Sequence, residues 1–169
     1  METDMVYTVG DYYNDGVREG VVFAVSADGC HGKIVSMRHS AEPLQWSSDS
    51  AEQKCYIGAD GDNDGAANMA KVMAISNWQS KYPAFKWCAD LGTGWYLPSK
   101  VELSAICGIR DMLNLKLTDS LARAYWSSTE ADCKWSSDDF CAWFVYMGSG
   151  YTVYCSKGDR SYVRAVSVF

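Results

Sequence analysis

The amino-acid sequence predicts an α+β fold, because segments with the two-residue period of strands lie on both sides of segments with helix signals. Strand-like alternation marks residues 20–38 and residues 141–147, whereas residues 64–115 carry the start and stop signals of helices. The chain has 169 residues, 48% of them hydrophobic and 14% aromatic, so it can bury an adequate core. We therefore expect residues 1–169 to form a single domain.

Charge and hydropathy argue against two classes of partner. The net charge is −6, and the chain has no run of lysine or arginine that could neutralise a phosphate backbone. Its apolar stretches are too short to span a bilayer as a helix. We therefore expect no nucleic-acid partner and no membrane insertion by this chain.

The first elements are predicted strands. Residues 6–10 form a short strand candidate. Residues 20–26 and 33–38 predict a hairpin, because the glycines between them permit the positive φ angles of a tight connection. Residues 39–58 show little periodicity and predict a loop anchored by Trp46.

Three aspartates, Asp60, Asp62 and Asp64, stand at alternate positions like the opening of a calcium-binding loop. Such a loop needs a bidentate glutamate at its twelfth position, which is Lys71 here. Asp64 is better explained as the N-cap of a helix that continues to Trp78, with acidic groups near the positive end of the helix dipole. We expect this acidic segment to be a loop without a tightly bound ion, with weak calcium binding as the alternative.

Two further helical segments follow. The first starts at Pro83 and stops before residues 92–94, with proline at its beginning and glycine after its end. A short strand and a capping box formed by Ser99 and Glu102 then lead into the next helix. Gly108 interrupts this helix, so we expect two short pieces.

The last third of the chain mixes packing residues with side chains that follow no single polarity rule. We expect one face of the strand in residues 141–147 to fill the core and the other to expose aromatic rings, which mark interaction surfaces. The alternative is a strand buried on both faces. Residues 163–169 are expected to form an ordered, paired C-terminal strand. Alternation divides residues 141–147 into an inward set, Trp143, Val145 and Met147, and an outward set, Ala142, Phe144 and Tyr146.

Four ordered motifs, in residues 95–103, 125–130, 142–143 and 163–169, carry a resemblance to a known family. Together they resemble a bacterial family of C-type-lectin-like domains. This family is related in fold to formylglycine-generating enzymes and includes the variable proteins of diversity-generating retroelements. The resemblance implies a C-type-lectin-like α+β fold over nearly the whole chain, with helices packed around a small twisted antiparallel sheet.

In such variable proteins, a C-terminal segment displays changeable side chains on an unchanged backbone. Here the resemblance places that segment at about residues 125–169. The changes arise at adenines, typically in Asn codons, which can yield Ala, Cys, Asp, Phe, Ser, Tyr or Arg but not Trp, Met or Lys. The fixed framework would then include Trp126, Trp135, Trp143, Met147 and Lys157.

The resemblance implies a non-catalytic domain without cofactor or metal that binds a macromolecular ligand, either a protein or a cell-surface component. It would act at a bacterial cell surface or on a phage particle. Aromatic anchors with small hydrogen-bonding residues make such a surface effective, and its aspartates favour a basic or donor-rich partner. We expect the anchors to be Phe140, Phe144, Tyr146, Tyr151 and Tyr154. The rings of the last four are predicted to be exposed together on one face. The candidate ligand-binding residues are Ala131, Asp132, Cys133, Ser136, Ser137, Asp138, Asp139, Phe140, Phe144, Tyr146, Ser149, Tyr151, Tyr154, Cys155, Ser156, Asp159, Arg160 and Ser161.

Two other functions share the predicted fold. A calcium-dependent carbohydrate-binding lectin usually carries a Glu-Pro-Asn signature, but Glu42–Pro43 is followed by leucine here. A formylglycine-generating type of enzyme would need an activated cysteine pair, and the seven cysteines show no CxxC or zinc-type spacing. His31 and His39 are the only histidines, and neither lies in a nucleophile motif. A metal pair of His31 with Cys30 is the alternative to an exposed loop histidine.

Overall fold

The computed structural model describes residues 4–132 and 140–169. It has a mixed α and β structure, and its named strands pair antiparallel, as the predicted α+β class requires. The strands are β1 (Tyr12–Asn14), β2 (Glu19–Val25), β3 (Gly32–Ser36), β4 (Leu44–Gln45), β5 (Trp95–Tyr96), β6 (Ala124–Ala131), β7 (Cys141–Tyr146), β8 (Thr152–Ser156), β9 (Arg160–Ser161) and β10 (Val166–Val168). The helices are α1 (Gly65–Met73), α2 (Trp78–Lys81), α3 (Pro83–Asp90), α4 (Lys100–Gly108) and α5 (Arg110–Asn114), with a 3-10 turn at Glu52–Lys54.

A five-stranded sheet in the order β1-β2-β3-β10-β5 joins the two ends of the chain. The predicted hairpin is confirmed as β2 and β3, with a register shift between Val22 and Ala24. The C-terminal prediction is also confirmed, because β10 pairs with β3 on one side and β5 on the other. The strand predicted at residues 6–10 is wrong. Gly10 has a φ of 95°, which breaks the extended backbone, and the first strand begins at Tyr12 instead.

The first helix begins where the sequence predicts. The Asp64 side chain accepts a hydrogen bond from the Ala67 amide at 2.9 Å and so caps the N-terminus of α1. The predicted continuation to Trp78 is wrong, because α1 ends at Met73 and Asn77 adopts a left-handed φ of 58°. A separate helix, α2, therefore starts at Trp78, and α3 starts at Pro83 as predicted.

Glu102 joins four elements through its buried carboxylate. The predicted capping box is confirmed, since Ser99 caps α4 and Glu102 accepts from the Ser99 amide at 3.0 Å. The same carboxylate accepts from the Gly65 amide at 3.0 Å and from the Tyr96 hydroxyl at 2.6 Å, and it pairs with Lys33. Glu102 thereby ties α1, β3 and β5 to the start of α4.

Arg164 performs a similar task between the sheets. Its guanidinium is buried and donates to the Ser36 carbonyl at 2.7 Å and the Asp119 carbonyl at 2.6 Å. It also donates to the Tyr125 hydroxyl at 3.3 Å, which belongs to β6. These contacts connect the five-stranded sheet to a second, three-stranded sheet.

The second sheet has the order β6-β7-β8 and receives α1 and α4 against it. Tyr125 and Trp126 in β6 and Val145 in β7 are fully buried in the same hydrophobic cluster as the five-stranded sheet. A two-stranded pair of β4 and β9 lies beside them. Within residues 4–132 and 140–169, no helix has the length and apolar character needed to cross a membrane.

Candidate ligand-binding surface on the β7–β8 hairpin

Strand β7 packs on both of its faces, which corrects the predicted division into inner and outer residues. Ala142 and Val145 point to opposite faces of the strand, yet both are fully buried. Trp143, which was predicted to be buried, is half-buried, and so are the predicted outward residues Phe144 and Tyr146. The alternative of a strand covered on both sides therefore describes β7 better.

Neighbouring side chains pack against the aromatic rings of β7 on both faces of the strand. The Phe144 ring meets the buried Trp126 ring edge to face at 5.6 Å between centroids, and Tyr146 packs against Phe144 at 5.3 Å. On the opposite face, the Lys100 ammonium lies 4.6 Å from the centre of the Trp143 ring. Trp126 and Met147 are buried, as predicted for framework residues.

Strand β8 and the turn before it carry the exposed surface. Tyr151 is 73% exposed and Tyr154 is 39% exposed, so both predictions of exposure are confirmed. Thr152 and Val153 between them are also exposed. The Tyr154 ring contacts the Trp143 ring edge to face at 5.1 Å, which fixes its position over the sheet.

The predicted aromatic anchors do not share one face. Tyr154 lies opposite Trp143 in the register between β7 and β8, whereas Phe144 lies opposite Val153. Residues directly opposite each other in neighbouring strands share a face, and successive residues alternate. Tyr154 is therefore on the Trp143 face and Phe144 on the other, so the prediction of a single aromatic face is wrong. The alternation in residues 141–147 indicated that β7 has two faces. Which β8 residues share each face depends on the turn between β7 and β8, and the sequence does not specify the geometry of that turn.

A buried ion pair supports the base of the hairpin. Lys157 and Glu130 are both inaccessible to solvent and lie 2.5 Å apart. Glu130 also accepts from the backbone amides of Ile57 and Gly58 at 3.0 Å, and Lys157 donates to the Cys55 carbonyl at 2.8 Å. Burial lowers the pKa of the Lys157 ammonium, an effect that the Glu130 carboxylate opposes.

These contacts join β6, residues 55–58 and the turn after β8 into one support. The Lys157 ammonium also lies 4.7 Å from the centre of the buried Trp46 ring. Lys157 is therefore a buried structural residue rather than part of the exposed surface. No local sequence pattern identifies Glu130 as its partner, because the two residues are distant in the chain.

The remaining predicted binding residues that the structure describes fall into three groups. Asp132, Ser149, Asp159 and Arg160 are exposed, whereas Phe140, Cys155, Ser156 and Ser161 are half-buried. Ala131 is only 5% exposed and offers little contact area. Thr152 and Val153 are exposed residues that the prediction omitted. Five predicted residues lie outside the described part of the chain: Cys133, Ser136, Ser137, Asp138 and Asp139.

The acidic segment that resembles a calcium loop has other partners for each carboxylate. Asp64 caps α1, Asp62 pairs with Lys100 at 3.2 Å, and Asp60 accepts a hydrogen bond from the Tyr56 hydroxyl. Among the residues that the structure describes, no group of three histidine, cysteine or acidic side chains is placed to hold a metal ion. That this loop binds no calcium ion tightly stays a prediction, which calorimetric titration with calcium tests.

His39 and Cys155 are half-buried, whereas His31 is exposed, as predicted for a loop histidine. Burial, followed by the Asp159 charge, raises the pKa of the Cys155 thiol, the opposite of what an activated nucleophile requires. Cys141 is in a disulfide. His39 is within 2.8 Å of the Tyr125 hydroxyl, and burial together with Arg164 lowers its pKa.

Comparison with known proteins does not place the chain in a family. No family model matches it, and no curated protein matches it significantly. What the protein does has therefore to be inferred from its own residues.

Proposed function

We propose that the chain is a non-catalytic binding domain that presents side chains of the β7–β8 hairpin to a macromolecular ligand on a C-type-lectin-like scaffold. In this proposal it is a variable protein of a diversity-generating retroelement, acting at a bacterial surface or on a phage particle. The observation that carries the proposal is the contrast between exposed Tyr151 and Tyr154 and the buried framework directly beside them.

Three features support a role in binding. Tyrosine gives a large contact area at a low cost in side-chain entropy, which suits an adaptable recognition surface. The edge-to-face contact of Tyr154 with Trp143 orders the ring before a ligand arrives. The exposed Asp132, Asp159 and Arg160 add charges that can select a complementary partner.

The buried support is compatible with side-chain variation at the surface. Lys157, Glu130 and Trp126 hold the hairpin through contacts that do not involve the exposed side chains of residues 151–154. Substitution at those exposed positions would then change the ligand without changing the backbone. This separation is the physical requirement for a diversified binding protein.

Ligand selection tests the binding role. Protein fragments from a displayed library would be selected on the immobilised wild-type chain and then measured against Tyr151→Ala/Tyr154→Ala. We expect the selected fragments to lose binding to this variant and to keep binding to the control Tyr12→Ala/Val17→Ala, which removes exposed side chains elsewhere. Fragments that bind both variants equally would contradict the proposed surface.

The retroelement origin has a separate test. The DNA around the coding region should contain a near-identical repeat that differs from the codons for residues 125–169 only at adenines. A coding region without such a repeat would remove the retroelement from the proposal and leave the binding surface to be judged by selection.

A further inference from the structure

The two edges of the three-stranded sheet differ in how they are covered. Along the outer side of β6, the Ser128 amide donates to the Pro98 carbonyl at 2.8 Å and the Glu130 amide donates to the Ala59 carbonyl at 2.7 Å. The Trp126 amide donates to the Tyr162 carbonyl at 3.0 Å. Other segments of the chain therefore close this edge.

In the part of the chain that the structure describes, the outer side of β8 has one backbone partner: the Ser156 carbonyl accepts from the Asp159 amide at 2.9 Å and keeps a second lone pair, while the outward groups of Thr152 and Tyr154 have no backbone partner. The Tyr146 amide donates to the Tyr151 carbonyl at 2.9 Å, which sets the phase of hydrogen bonding between β7 and β8. In an antiparallel pair, the residues of a strand alternate between facing their partner and facing away. Val153 and Cys155 therefore face β7, while the backbone groups of Thr152 and Tyr154 point outward.

This edge lacks the features that usually prevent strand pairing. Natural edges are shortened, bulged, or guarded by charged residues and proline. Strand β8 has five residues in continuous register with β7 and contains neither charge nor proline. By contrast, the edge strands of the five-stranded sheet, β1 and β5, are three and two residues long.

The sequence of β8 is also complementary to itself when reversed. In an antiparallel pair centred on Tyr154, Thr152 lies opposite Ser156 of a second copy, and Val153 lies opposite Cys155 of that copy. The hydroxyl side chains of Thr152 and Ser156 are then paired, as are the apolar side chains of Val153 and Cys155, and Tyr154 lies opposite Tyr154. No like charges face each other. We propose that β8 pairs antiparallel with β8 of a second copy about a two-fold axis at Tyr154.

The outward-facing backbone of Tyr154 fits this arrangement. A two-fold axis at an outward residue lets its amide donate to the same residue's carbonyl in the other copy, and the reverse. The result is a six-stranded sheet with β6 at both ends. Because segments of the same chain cover β6, the assembly closes at two copies and does not extend into a filament.

The dimer does not depend on the proposed ligand-binding role. Side chains stand perpendicular to a sheet, so pairing through the edge leaves the faces of both hairpins available. Two hairpins side by side would double the exposed surface around Tyr151 and Tyr154. Failure to dimerise would leave the proposed function intact, and failure of ligand selection would leave the dimer intact.

Sedimentation velocity tests the pairing, and non-reducing electrophoresis would exclude dimers linked by an intermolecular disulfide. Measurements would extend to about 0.5 mM, because a small interface dissociates on dilution. We expect the wild-type chain to form dimers and no larger species as its concentration rises. Tyr154→Lys and Tyr154→Glu should each weaken the dimer at least roughly tenfold, because like charges then face each other across the axis. An equimolar mixture of the two variants should form a heterodimer.

Two controls separate pairing at this edge from other association. Tyr154→Phe keeps the pairing chemistry, and Tyr12→Lys places a charge on exposed β1, so both should retain the wild-type dimer. In amide exchange, the Thr152 and Tyr154 amides should become protected with concentration, whereas the Val153 amide should not change. A wild-type chain that stays monomeric, a mixture that stays monomeric, or exchange independent of concentration would overturn the proposal.

Discussion

The five-stranded and three-stranded sheets use different means to become rigid. The five-stranded sheet is held by aliphatic packing, with Val21, Ile34 and Val166 fully buried, and it combines strands from the early part of the chain with the late strand β10. In the three-stranded sheet β6 is buried, but β8 is mostly exposed, and the Glu130–Lys157 ion pair supports the sheet. A strand such as β8 can therefore stay exposed to solvent when a buried ion pair beside it fixes its backbone.

The largest expected effect comes from breaking that support. Lys157→Met leaves the Glu130 carboxylate buried without its cation, which should lower the free energy of unfolding by about 3–5 kcal/mol. Lys157→Met/Glu130→Gln should lose less, because a neutral amide oxygen can still accept from the Ile57 and Gly58 amides. Urea unfolding of the two variants checks this. A single variant as stable as the wild type would show that the pair does not support the sheet.

The next effect distinguishes two tryptophans of neighbouring strands. Trp126 is fully buried and its indole donates to the Leu44 carbonyl at 2.8 Å, so Trp126→Ala should cost about 3–5 kcal/mol. Trp143 is half-buried, so Trp143→Ala should cost roughly 0.5–3 kcal/mol. Denaturant midpoints measure both. Equal losses would mean that Trp143 is as much a core residue as Trp126.

Alkaline pH should act on tyrosines outside the exposed hairpin. Burial raises the pKa values of Tyr82, Tyr96 and Tyr125 above the ordinary value of 10.0. Above that pH the unfolded chain loses protons that the folded chain keeps, so stability falls by about 1.4 kcal/mol per pH unit for each such tyrosine. Lys157 acts in the opposite direction, because burial lowers its pKa and the penalty fades as pH rises.

Urea midpoints measured from about pH 9 to pH 11 follow this loss. Tyr82→Phe removes one titrating hydroxyl, which donates to Glu52 at 2.7 Å. The variant should be less stable at neutral pH but should lose stability less steeply above pH 10. An unchanged slope would show that Tyr82 does not carry the effect.

The smallest effect is expected at the exposed hairpin itself. Tyr151→Ala should change stability by no more than about 0.5 kcal/mol, because its side chain is 73% exposed. Tyr154→Ala should cost roughly 0.5–1.5 kcal/mol, because it also loses the ring contact with Trp143. Thermal unfolding checks this. A loss comparable to that of Trp126→Ala would place these rings in the core and contradict the proposed surface.

Local signals predicted the elements well because their causes are local. The Ser99–Glu102 capping box, Pro83 at a helix start and the Asp64 cap each satisfy backbone groups within a few residues. Hydrophobic spacing predicted that α1 continues to Trp78, but the helix ends at Met73 and the left-handed Asn77 separates it from α2. The period of hydrophobic residues along a helix does not reveal a left-handed backbone conformation at a single residue.

The candidate surface was only partly predictable. Exposure of Tyr151 and Tyr154 was predicted from the mixed, binding-surface-like composition of the last third of the chain. In β7, aromatic residues occupy both faces, so alternation could not show which face helices would cover. The ion pair of Glu130 and Lys157 could not be predicted, because contacts between residues distant in the chain leave no local sequence pattern. The C-type-lectin-like scaffold itself remains a proposal.

The most direct test of the central claim compares two displayed libraries of the full chain. One randomises residues 151–154 with Asp159 and Arg160, and the other randomises Glu130 and Lys157. Resistance to protease would report folding of every member, and selection on protein targets would report binding. We predict that most members of the first library fold and yield binders, whereas most of the second are degraded. A first library that is degraded as readily as the second would contradict the claim of a tolerant binding surface on a fixed scaffold.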